Sequence, residues 1–195
     1  MNIKNLSQNV EEFTANVYLV EKNILVDVGK GEEVRNKISE LENIEKVLIT
    51  HSHYDHVDNL QYVIEEYDPE VYACAQSING VRLNRLKDKD IIEISEDFVF
   101  EVLHTPGHKD DHLCFYNRKQ DVLFCGDLIF ANGSFGRTDL AEGDRNKLIR
   151  SIKKIMNNCE VKSFYAGHDK PVLEDGDKSI RESLENAEKR EKKYE

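Results

Sequence analysis

Residues 50–56 read Thr-His-Ser-His-Tyr-Asp-His, and no other stretch restricts the fold of this chain so strongly. Three imidazoles and a carboxylate, on His51, His53, Asp55 and His56, fall within six positions. The chain has seven histidines; His104, His108 and His112 form a second cluster, and His168 stands apart in Gly167-His168-Asp169. Imidazole and carboxylate are ligands preferred by zinc and neighbouring first-row metals. A fold that uses them together must carry distant segments to one edge.

Composition narrows the partners. A chain of 195 residues has length for one domain, 1–195, with a full core. The net charge of −11 argues against a nucleic-acid partner, whose phosphates it would repel. No apolar run approaches the ~18 residues of a membrane span, and residues 1–5 lack the apolar region of a signal peptide. No membrane partner and cytoplasmic residence are therefore expected, and the sequence sets no oligomeric state. Cys74, Cys114, Cys125 and Cys159 have no C-x-x-C spacing and are expected to be buried free thiols.

The pattern alternates apolar strands with amphipathic helices. Residues 13–20 and 23–28 predict a hairpin turning near Glu21-Lys22-Asn23. Val34, Ile38 and Leu41 mark one helix face, and Leu60, Val63, Ile64 and Tyr67 a second. Strands are expected at 46–50 and 71–75, then at 90–94, 98–104, 112–116 and 121–124, the last four close enough for antiparallel pairing. Leu148, Ile152, Ile155 and Met156 predict a third helix, 162–166 a final strand, and Ile180, Leu184 and Ala187 a C-terminal helix. That helix fades into a solvated charge run, Lys189-Arg190-Glu191-Lys192-Lys193. The fold class is α/β, two sheets with helices outside them.

The candidate ligands stand where strands end. His51 follows 46–50, His108 follows 98–104 through Thr105-Pro106-Gly107, Asp127 follows 121–124 through Gly126, and His168 follows 162–166 through Gly167. His51 and His53, two apart, point the same way in extended chain and can chelate one metal. Asp55 and His56 follow a turn and are aimed to serve a second; alternatively Asp55 or Asp58 is a helix N-cap. Two close metals need a bridging group, for which the two oxygens of Asp127 are suited. His104 and His112 are not needed as ligands and are expected to support them from behind or to serve the fold.

These residues resemble the metallo-β-lactamase superfamily, whose H-x-H-x-D-H motif appears as His51-Ser52-His53-Tyr54-Asp55-His56. Leu25-Val26-Asp27-Val28-Gly29, His104-Thr105-Pro106-Gly107-His108, Cys125-Gly126-Asp127 and Ala166-Gly167-His168 resemble its other motifs. The resemblance implies an αβ/βα four-layer sandwich and two divalent ions at one edge. It places His51, His53 and His108 on the first ion, Asp55, His56 and His168 on the second, and Asp127 between them, with Asp27 supporting from behind. Zinc is the ion expected, and iron and manganese accept the same ligands.

Departures select the branch. Exported zinc β-lactamases of this fold carry Cys or Ser where this chain has Asp127, nuclease members carry an extra domain or RNA-gripping arm, and flavodiiron members carry Glu at the place of His53. The segments 126–130 and 133–139, and His108 followed by His112-Leu113-Cys114-Phe115, resemble the glyoxalase II-like branch, in its short single-domain form. That resemblance implies a metal-dependent hydrolase acting on a small acyl-thiol. The same resemblance implies that a hydroxide bridging the metals would attack the thioester carbonyl, with Asp55 orienting the nucleophile. Arg137 is expected either to hold a substrate carboxylate or to pair with Asp139, and Tyr165 to line the pocket or to pack. Two other readings are a mononuclear iron dioxygenase of persulfides, against which the second ligand set speaks, and a non-catalytic metal-binding module.

Overall fold

Parallel strands joined through helices organise the first of two compact units, Met1–Leu86; the second is Lys87–Glu195. The computed structural model describes residues 2–95 and 98–191.

In the first unit, β1 (Ile3–Asn5), β2 (Tyr18–Val20) and β3 (Ile24–Val26) pair antiparallel. The chain then crosses through α1 (Glu32–Ser39) to β4 (Lys46–Leu48), which is parallel to β3. A short helix α2 (Tyr54–Val57) and α3 (Leu60–Tyr67) lead to β5 (Glu70–Ala73), parallel to β4. A small hairpin of β6 (Ser77–Ile78) and β7 (Val81–Arg82) follows, and β8 (Asn84–Arg85) completes the sheet in the order β1-β2-β3-β4-β5-β8. Parallel neighbours require such crossovers, and helices supply them. Val34 and Ile38 of α1 and Leu60 and Val63 of α3 bury their apolar stripes against Leu25, Val47, Ile49, Val71 and Ala73. Burial of each Val or Leu side chain contributes roughly 1.5–3 kcal/mol.

The second unit is a sheet of order β13-β12-β11-β10-β9. Its strands are β9 (Ile91–Ser95), β10 (Phe98–His104), β11 (Leu113–Asn117), β12 (Val122–Gly126) and β13 (Ser163–Ala166). Pairing is antiparallel from β9 to β12 and parallel between β12 and β13, where α4 (Arg145–Asn158) forms the crossover. Every side chain of β11 and β12 is buried, and strands covered on both faces read as unbroken apolar runs. Leu148, Ile149, Ile152 and Ile155 of α4, with Ile180 and Ala187 of α5 (Gly176–Glu191), pack on Leu103, Cys114, Leu123, Cys125 and Phe164. Phe100 sits edge-on to Phe124 at 5.6 Å, and Phe124 stacks on Tyr165 at 5.1 Å.

Some expectations shift. Residues 13–17 are not strand: Phe13 is 70% exposed, and the segment is held through Leu6 N–H to the Val17 carbonyl and Ser7 Oγ to the Ala15 carbonyl. Leu41 lies past the end of α1, and Cys74 is half-buried where full burial is expected. All four cysteines are free. Neither Asp55 nor Asp58 is an N-cap: Asp55 lies inside α2, Asp58 ends it, and the Asp58 carboxylate accepts the Gly31 N–H at 3.3 Å. Met1 of the N-terminal stretch, and Lys192 and Lys193 of the terminal charge run, lie outside the described residues. No helix among the described residues is long and apolar enough to cross a membrane.

Candidate metal centre

Because β3 and β4 are parallel, the chain leaves both at the same edge, and this sets Asp27 beside Thr50. The Asp27 carboxylate accepts the Thr50 N–H and hydroxyl, each at 2.8 Å, and its Oδ2 also accepts His56 Nδ1 at 2.8 Å. Asp27 has φ 58°, a left-handed conformation that Asp and Asn tolerate better than other side chains. The His56 carbonyl in turn accepts the N–H groups of Val28 and Gly29, so this segment grips His56 by ring and by backbone. Thr50 Oγ1, which gives its proton to Asp27, lies 3.1 Å from His51 Nδ1 and accepts from it.

With Nδ1 engaged, His51 and His56 offer Nε2 as the ligand atom. His51 Nε2 faces His53 Nδ1 at 3.0 Å. The ligand atoms of His51 and His53, of His51 and His56, and of Asp55 and His56 lie within 4.8 Å of each other. The expected set of the first unit is thus gathered.

In the second unit, β10, β12 and β13 all run toward one edge. Asp127 and His168 follow β12 and β13, and the Gly167 N–H bonds the Gly126 carbonyl at 2.8 Å, keeping the two exits adjacent. His108 comes from the loop after β10, which α4 secures: Ser151 Oγ donates to the Pro106 carbonyl at 2.7 Å and the Asp144 N–H to the Gly107 carbonyl at 2.8 Å. Asp127 Oδ2 lies 3.4 Å from His108 Nε2 and 3.5 Å from His168 Nε2. One carboxylate oxygen between two imidazole nitrogens is an arrangement suited to cations held among them.

His108 Nδ1 donates to the Arg137 carbonyl at 2.8 Å, which fixes Nε2 as its ligand atom. The Arg137 carbonyl arrives there because Gly136 runs against Asp127; a Cβ on Gly136 would sit 1.8 Å from the Asp127 carbonyl oxygen. This support for His108 was not legible in the sequence, which offers only the Gly-Arg pair as a signal. The Arg137 guanidinium itself makes a bidentate pair with Asp139, at 3.0 and 2.9 Å, with both side chains about two-thirds exposed. Tyr165 is half-buried, and burial pushes its hydroxyl above the ordinary tyrosine pKa. His104 Nε2 bonds the Asp110 carbonyl at 2.8 Å, tying the ends of its own loop together. His112 is buried, with Nδ1 on Thr105 Oγ1 at 2.9 Å and Nε2 on the Asp127 N–H at 3.0 Å.

The His and Asp side chains therefore form groups able to hold metal ions. The fit is chemical: nitrogen and carboxylate oxygen ligands, with the second ring nitrogen of His51, His56 and His108 anchored on oxygen, as metal-binding imidazoles require.

Residues 10–168 match the metallo-beta-lactamase superfamily, and the chain belongs to it. Within the superfamily it is glyoxalase II-like. It is 30% identical over 187 residues to the hydroxyacylglutathione hydrolase GloC of Haemophilus influenzae, covering 82% of this chain and 87% of that protein. It is 38% identical over 134 residues to the hydroxyacylglutathione hydrolase of Francisella philomiragia, covering 65% of this chain and 50% of that one. The chain spans about half the length of several curated relatives it matches. Among solved structures, TTHA1623 in a di-iron-bound form is 25% identical with a TM-score of 0.71, covering 95% of this chain and 97% of that chain. The α/β fold is that of the metallo-β-lactamases.

Proposed function

We propose that this chain is a metal-dependent hydrolase that cleaves a small thioester of the hydroxyacyl-glutathione type. In this reading the two units work as one domain, 1–195, and their ligand sets form one binuclear centre: His51, His53, Asp55, His56, His108, Asp127 and His168. The observation that carries it is the placement of Asp127 Oδ2 between His108 Nε2 and His168 Nε2, with His51 Nε2 and His53 Nδ1 facing one another in the other set. The superfamily match spans all seven residues, and relatives named hydroxyacylglutathione hydrolase support the substrate class. Zinc is the proposed ion; the di-iron form of TTHA1623 supports a two-ion centre and keeps iron as the rival metal.

When bound, a pair of divalent ions lowers the pKa of water to about 7 and polarises a carbonyl oxygen. The chain's own groups do the rest. Asp27, Thr50 and the Arg137 carbonyl hold the imidazoles in one tautomer. Asp55, besides holding the second ion, would accept a hydrogen bond from the attacking water and so orient its lone pair toward the carbonyl carbon. A thiolate departs without strong acid assistance. Tyr165, protonated at neutral pH, lines the pocket and donates a hydrogen bond to substrate. Arg137 holds a substrate carboxylate, exchanging it for Asp139.

The test is thiol release from a hydroxyacyl thioester of glutathione by zinc-loaded protein. Hydrolysis that disappears in Asp127→Ala supports the reading. Oxygen uptake on a persulfide by protein holding one iron per chain, with no thiol release, replaces it with the dioxygenase. Full metal occupancy without turnover on a thioester and ester panel leaves the non-catalytic module.

A further inference from the structure

Four polar groups behind Asp127 form a chain whose proton positions are dictated from one end. The Asp127 N–H has a single proton and points it at His112 Nε2, 3.0 Å away. That nitrogen accepts, so the proton of neutral His112 sits on Nδ1, which donates to Thr105 Oγ1 at 2.9 Å. The Thr105 hydroxyl then turns its own proton toward Cys114 Sγ at 3.3 Å, and the Cys114 thiol points at the Cys125 carbonyl at 3.7 Å. Burial pushes the Cys114 thiol up to about 12, so it remains a neutral S–H that can end the chain as donor. Thr105, His112, Cys114 and Cys125 are all buried, and water does not compete for these bonds. The Thr105 N–H also bonds the His112 carbonyl at 2.9 Å, locking the two residues as a pair.

We propose that His112, held in the Nδ1–H tautomer by Thr105, is a positioning residue that sets the backbone of Asp127 and thereby the affinity of the metal centre. This rests on the reading of Asp127 as a metal ligand. Asp127 leaves β12 just past Gly126, a residue at φ 45° where the pairing of β12 with β13 changes register. The neighbouring strand exit holds only the carbonyl side of the Gly126–Asp127 peptide, through the Gly167 N–H at 2.8 Å, and the His112 ring holds its N–H side. The carboxylate that this peptide carries is the one flanked by His108 and His168. An acceptor at the Nε2 position is the essential chemistry, and an amide oxygen can supply it.

The test compares wild type, His112→Leu, His112→Gln and Thr105→Val, each stripped of metal and titrated with cobalt(II). Affinity is read by chelator competition and geometry by the visible absorption of the bound ion. Wild type is expected to bind cobalt at two sites, His112→Leu about 10- to 100-fold more weakly with an altered spectrum, and Thr105→Val between the two. In His112→Gln the Oε1 replaces the lost acceptor, and affinity and spectrum return toward wild type. Nitrogen-15 NMR of metal-free wild type is expected to show the His112 proton on Nδ1, a readout that needs no variant to fold. Cobalt bound by His112→Leu as tightly as by wild type, equal losses in His112→Leu and His112→Gln, or a proton on Nε2 would each overturn the proposal while wild type still binds metal. Wild type that binds no cobalt overturns the site reading beneath it as well.

Discussion

His56 Nδ1 stands 2.8 Å from Asp27 Oδ2, and both side chains are almost fully buried. The same oxygen accepts the Thr50 hydroxyl, and the partner oxygen takes the Thr50 N–H. One carboxylate thus sets the tautomer of His56 directly and that of His51 through Thr50.

Asp27→Asn tests this. Asn tolerates the left-handed backbone at this position, so the change is in hydrogen bonding rather than strain. Its amide sets a donor against donors on His56 or Thr50. We expect metal affinity to fall by about 10- to 100-fold and metal-free stability by about 1–3 kcal/mol. Chelator competition and urea denaturation measure the two.

Gly136→Ala addresses the support of His108. The added Cβ meets the Asp127 carbonyl oxygen at 1.8 Å, so the backbone of one strand exit must move. Moving Gly136 withdraws the Arg137 carbonyl from His108 Nδ1. The expected loss is about 1–3 kcal/mol in urea denaturation, with weaker metal binding; unchanged stability would show that the loop relaxes freely.

Metal removal should destabilise the protein. Ions that bind only the native state add stability by mass action, about 2.7 kcal/mol at a concentration one hundred times Kd. A chelator should lower Tm, and excess zinc should restore it. A Tm indifferent to both would contradict binding at the His and Asp groups.

The sequence carries much of this architecture, and its failures are local. The strand Phe98–His104 is legible to the residue, because its alternating burial matches the pleat. The helix Leu60–Tyr67 shows its apolar stripe equally well. The strand Ile3–Asn5 is not legible: three residues with one lysine carry no period, and only pairing with β2 makes them a strand. The helix Tyr54–Val57 is hidden because its four residues are chosen for polar chemistry rather than an apolar face. Among candidate site residues, the Asp27 motif and the clusters His51–His56 and His108 stand out by residue type. The roles of His112 and of the Arg137 carbonyl do not, since each acts on or through a backbone group whose position only the folded chain defines.

Acid should expose the network that ties α4 to the β10 edge. Burial pushes the Asp88 carboxyl up, but the Lys154 ammonium and the His104 N–H pull it down further, leaving it below its usual value. A depressed carboxylate adds stability above its unfolded pKa, about 3.9, and that contribution is lost as pH falls through the lower folded value. Asp88→Asn should therefore be less stable than wild type near neutral pH, with the gap closing as pH drops below the ordinary Asp range. Urea denaturation of metal-free protein across that range checks the sign; a gap that widens in acid would contradict it.

The central claim is that seven side chains from two chain regions hold a pair of ions, and metal titration addresses it most directly. Elemental analysis of saturated, desalted protein is predicted to give two divalent ions per chain in wild type, with loss of tight binding in Asp127→Ala. Saturation at a single ion, or Asp127→Ala holding as much metal as wild type, would contradict the account.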